Sequence, residues 1–95
     1  MEVCLVGYGR QIIFTAAFDI EVEKLGGYRI IDPSLDMIVD GLYRNPFGYF
    51  KFENDFVSFR YAITRATVSV PALVVIFTIE KNGDVTLEHV EEHRP

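Results

Sequence analysis

Tryptophan is absent from these 95 residues, cysteine occurs once, and histidine only twice. The lone Cys4 excludes an internal disulfide, a paired-cysteine zinc site and a redox pair. Two histidines and one cysteine without ligand spacing argue against a metal centre, and no cofactor is expected. Long apolar runs are missing as well. The longest, Val68 to Ile79, is interrupted by Ser69, Pro71 and Thr78, so no membrane-spanning helix is expected. Glu2 stands where a signal peptide carries Lys or Arg, and Val3 to Val6 is too short for its apolar core; the chain reads as cytoplasmic. Repeats, linkers and low-complexity tracts are lacking too, which leaves a single domain over residues 1–95. Val6-Gly7-Tyr8-Gly9 has neither the third glycine nor the βαβ setting of a dinucleotide loop.

Apolar and aromatic residues are plentiful. Hydrophobic residues make up 49%, with eight Phe and five Tyr, which excludes a disordered chain. Net charge is −5 and unevenly spread. Residues 1–43 carry net −4 and residues 80–95 net −3, whereas residues 44–79 carry net +2 through Arg44, Lys51, Arg60 and Arg65. A field of this sign repels nucleic acid, so phosphate binding has to be local and the middle stretch is where it fits.

The first half reads as strand–helix–helix. Gln11 to Phe14 is a short apolar run, and Thr15 is a helix N-cap. Phe18, Val22 and Leu25 fall at helical spacing, and Gly26-Gly27 ends that helix. Asp32-Pro33 reads as the start of a second helix, with Leu35, Ile38, Val39 and Leu42 as its apolar face and Asn45-Pro46 as its end. After Pro46 the period changes to two. Phe47 to Phe52 is a β-prone aromatic run. Phe56 to Ile63 alternates, and Val57, Phe59, Tyr61 and Ile63 are expected to face the helices. Ala72 to Ile79 is a central strand, Asn82-Gly83 a two-residue hairpin turn, and Val85 to Val90 its partner, with Val85, Leu87 and His89 on one face. The fold class is α+β: an N-terminal strand and an antiparallel helical hairpin packed on an antiparallel meander of three to four strands.

The ordered set of "RNP" at Arg44 to Pro46, "SFRYAI" at Ser58 to Ile63, and "LVVIFTIEKNGDVTLEHVEEHR" at Leu73 to Arg94 resembles the RelE/ParE-like toxins of bacterial toxin–antitoxin pairs. The similarity covers roughly residues 11–94; residues 1–10 have no counterpart and stand as an unassigned N-terminal extension. The resemblance implies a toxin, in some members a ribosome-associated mRNA endoribonuclease, with a cognate antitoxin as partner, no membrane association, and a homodimer as one assembly. It assigns catalysis to Arg60, His93 and Arg94: an arginine fork suits a charged phosphate, and histidine titrates near neutrality. Lys51, Arg65 and His89 are the candidate RNA-binding residues, and Tyr49, Phe50 and Phe52 the candidate partner contacts. Two departures favour an alternative reading, a non-catalytic member of the family kept as a protein-binding module. Ala72-Leu73 stands where the family commonly has an arginine, and the chain is acidic where RNA-cleaving members are basic. A gyrase-directed member is the third option.

Overall fold

A computed structural model describes residues 10–56 and 58–94; the N-terminal extension, apart from Arg10, and Val57 and Pro95 lie outside the described residues. The chain runs β1 (Ile12–Phe14), α1 (Ala16–Lys24), α2 (Tyr28–Arg44), a 3-10 turn (Pro46–Gly48), β2 (Phe50–Glu53), β3 (Ser58–Ile63), β4 (Leu73–Ile79) and β5 (Val85–Glu92). The strands form one sheet in the order β1-β5-β4-β3-β2. The fold is α+β, as the segregation of helices from strands implies. The meander β2–β5 is antiparallel, but β1 joins β5 in parallel, so the sheet is mixed and has five strands. A parallel neighbour needs a long crossover, and here the meander itself makes the return from β1.

Thr15 carries the first turn of the chain. Its hydroxyl accepts from the Phe18 amide at 3.0 Å, capping α1, and donates to the Leu87 carbonyl of β5 at 2.9 Å. The β1 register is held from the other end, where the Gln11 amide donates to Asp84 Oδ1 at 2.9 Å. Gly26 and Gly27, with φ of 108° and 94°, close α1 in the left-handed region that a side chain resists.

The second helix begins a full turn earlier than Asp32-Pro33 suggests: Gly27 is its N-cap and Pro33 lies inside it. A proline there lacks the amide that would reach the fourth residue back, a cost of ~3 kcal/mol in a helix interior. The added turn offsets it by burying Ile31 and by bringing Tyr28 Oη to Asp19 Oδ1 at 2.5 Å. The inward face then carries Ile31, Ser34, Leu35, Ile38 and Leu42, with Val39 half-buried. At the far end Asn45 closes α2 and its side chain accepts from the Phe47 amide, starting the 3-10 turn where an extended run was expected.

The sheet face under the helices carries Ala62, Leu73, Val75, Phe77, Val85, Leu87 and Val90, all buried together with Ile12, Phe18 and Val22. This reverses the expected β3 orientation. Arg60 and Ala62 align with Phe77 and Val75 of the core, so Phe59, Tyr61 and Ile63 point to the other face. Alternation fixes which residues share a face but not which face is covered: the helices cover the face of Arg60 and Ala62, which continues the β4 core residues, although the opposite face is the more apolar.

A bulge corrects β5. Ile76 aligns with His89 and Phe77 with Leu87, so Glu88 is skipped in the pairing. His89 therefore leaves the face of Val85 and Leu87, and Val90 takes the inward place. The β4–β5 connection is also longer than two residues: the Glu80 amide donates to the Asp84 carbonyl at 2.7 Å, and Gly83, φ 95°, supplies the left-handed position of a three-residue loop.

Candidate functional site

Three separate places hold the residues the sequence singles out. The first is a cleft of about 340 Å³ at the β2–β3 edge, lined by Phe47, Lys51, Ser58, Phe59, Arg60, Thr78 and Ile79. Lys51 and Arg60 are brought together here because they are cross-strand partners. Arg60 is already engaged: its Nη1 donates to the Phe47 and Tyr49 carbonyls at 3.2 and 3.0 Å, and its guanidinium lies 5.4 Å from the centre of the Phe47 ring. The arginine thereby clamps the 3-10 turn onto β3. Lys51 Nζ sits 3.4 Å from Glu53 Oε1.

The second place is a groove of about 500 Å³ between the end of α1 and the end of β5, lined among others by Glu21, Lys24, Glu92, His93 and Arg94. His93 is positioned by the sheet, since its amide donates to the Ala72 carbonyl at 2.8 Å. Lys24 pairs with Glu21 at 3.2 Å, and Arg94 Nε lies 3.8 Å from Glu92. The cations of this groove are thus matched by acids. Arg60 aligns with Phe77 and His93 with Ala72, five residues apart along β4, about 17 Å at ~3.3 Å per residue. Arg60 is not brought together with His93 and Arg94. His89 lies on the uncovered sheet face, its Nε2 2.7 Å from Glu91 Oε1. Arg65 stands after β3, apart from both clefts, and makes no ion pair among the described residues.

The third place is the sheet face turned away from the helices. Cross-strand register stacks Phe50 on Tyr61, with centroids 5.3 Å apart, and Phe52 on Phe59 at 5.0 Å. Ile63, Val74 and Ile76 continue this surface across β3 and β4. Phe50 is 63% exposed and Phe52 44%. Tyr49 does not share the surface with them. It is half-buried on the helix side, edge-on to Phe77 at 5.7 Å, and its hydroxyl comes so close to Gly41 that a Cβ there would meet it. Burial, and then the charge of Asp40, push the Tyr49 hydroxyl above the usual tyrosine range.

Sequence reading singles out Phe50 and Phe52 of this face but places Phe59 and Tyr61 inward. The signal that was available is the density of Phe and Tyr between residues 47 and 61, more than one core layer of a domain this size can enclose. Among the described residues, no helix is long and apolar enough to cross a membrane. No family model, curated protein or solved structure matches the chain.

Proposed function

We propose that this chain is a protein-binding module of RelE/ParE-like type, whose uncovered aromatic sheet face receives a partner protein of antitoxin kind. One observation carries the reading: a sheet with helices on a single face presents the stacked pairs Phe50–Tyr61 and Phe52–Phe59 on the other. Contiguous apolar surface of this kind marks interaction sites. The order of one strand, a helical hairpin and a four-stranded meander supports the family assignment. The partner segment that fits is apolar on one side and basic on the other, because the chain carries net −5 and opposite charge speeds encounter. Co-expression with the product of the adjacent reading frame should yield a stable complex, and Phe50→Ser with Phe52→Ser should dissociate it while the domain stays folded. A monodisperse monomer indifferent to that neighbour, with unaltered behaviour in the double variant, refutes the reading.

A second reading, RNA cleavage with growth arrest, is favoured by Lys51 and Arg60 sharing one cleft beside the Phe47 ring. Arg60 also holds backbone carbonyls, so Lys51→Ala, at an exposed site, is the cleaner probe. Growth arrest that vanishes in Lys51→Ala, with the fold intact, supports cleavage; growth indifferent to high expression of the parent counts against it.

A further inference from the structure

Beyond β2 the sheet has a gap. β3 extends through Ala62 and Ile63 past its last β2 partner, because the pairing ends at Phe50–Tyr61. The chain before β2 turns away toward the end of α2 instead. The gap is a cleft of about 500 Å³ between α2 and the segment after β3, within the size range of small-ligand sites. Pro33, Met37, Ile38, Tyr49 and Ile63 make its walls largely apolar.

Two polar features in the same cleft lack partners. Ser34 is 8% exposed, and its hydroxyl is buried with no hydrogen-bond partner. A buried hydroxyl left in that state costs free energy until an acceptor reaches it. Arg65 lines the cleft as an exposed cation that forms no ion pair among the described residues, in a chain where acids outnumber bases. One arginine matches one negative charge and, through its planar fork, suits a carboxylate.

We infer that this cleft binds an apolar group ending in a carboxylate, the tail seated among Met37, Ile38 and Tyr49 and the carboxylate on Arg65, with the Ser34 hydroxyl as a further donor. Two sources share this chemistry: a free medium-chain carboxylate and the C-terminal residue of a polypeptide with an apolar side chain. The site shares Ile63 with the aromatic sheet face, but its polar groups, Ser34 and Arg65, lie outside the Phe50–Tyr61 and Phe52–Phe59 stacks, so loss of a partner at that face and loss of carboxylate binding are read separately.

The test is an amide chemical-shift titration of the full chain. The probes are octanoate, a short peptide ending in leucine, and the same peptide with an amidated terminus. Shifts confined to residues around 34, 37 and 65 are expected with octanoate, with the free-acid peptide, or with both, and which of them binds identifies the source. The amidated peptide should not bind. Arg65→Gln, an exposed change that spares the fold, should weaken binding about tenfold, the scale of one lost charge-assisted contact. Ser34→Ala should bind more weakly while melting no lower than the parent. The inference is overturned if neither free acid shifts these residues at millimolar concentration, if Arg65→Gln binds as well as the parent, or if the amidated peptide binds equally.

Discussion

The two faces of the sheet are built from similar residues and behave as different materials. Under the helices, Val75, Phe77, Val85, Leu87 and Val90 are shut off from water in one core cluster with Phe18, Val22, Leu35 and Leu42. On the other face, Phe50, Phe52, Phe59 and Tyr61 stack in pairs and stay partly wet. Burial of apolar surface stabilises by ~25 cal/mol per Å², so the first face holds the fold together, whereas the second gains only the paired-ring contribution until something covers it. A residue's apolar character therefore does not say which of the two roles it has.

Substitutions break this comparison most sharply on the covered side. Ile38→Asp should unfold the domain, because a buried unpaired carboxylate costs several kcal/mol against a total of ~5–15 kcal/mol. A far-UV circular dichroism melt like the parent's would show that the α2 register is wrong. Phe77→Ala should cost about 3–5 kcal/mol by chemical denaturation, whereas Phe52→Ala on the open face should cost at most ~1 kcal/mol. Equal losses would erase the distinction between the faces.

Gly41→Ala tests the boundary between the layers. Alanine favours a helix by ~1 kcal/mol, yet a Cβ at this position meets Tyr49 Oη, so a net loss of about 1–3 kcal/mol is expected. A gain in stability would mean that Tyr49 moves aside freely. The smallest effect is titrational. Burial and, next, the hydrogen bond to Asp19 raise the Tyr28 hydroxyl well above its ordinary value of 10.0. Because the folded state keeps the proton longer, its stabilising effect is complete below about pH 10 and is lost as pH climbs toward the folded value. Tyr28→Phe should flatten the fall of the melting temperature above pH 10.0; an unchanged slope would assign that fall to other groups.

Local signals were legible wherever one residue type has one local use. Thr15 caps α1, Gly26 and Gly27 end it, Asn45-Pro46 closes α2, and the period change marks the switch from helix to strand, which β2 begins at Phe50 after the 3-10 turn. Each works through the backbone within a few residues, so no distant contact is needed to predict it. The cationic character of the middle stretch was equally visible, and Lys51 and Arg60 do meet across β2 and β3.

What the tertiary structure alone decided are the choices between alternatives. Within β3 the more apolar face, Phe59, Tyr61 and Ile63, is the one left open; the helices cover the face of Arg60 and Ala62 because it continues Leu73, Val75 and Phe77. The bulge at Glu88 depends on how β5 registers against β4, and it moves His89 to the other side. Pro33 looked like a helix start until the burial of Ile31 placed a turn ahead of it. The separation of Arg60 from His93 follows from their alignment with opposite ends of one strand, a spacing that pairing sets and sequence order does not. Propensity and period act over a few residues. Face, register and distance are settled by packing between segments far apart in the chain, so they belong to the fold.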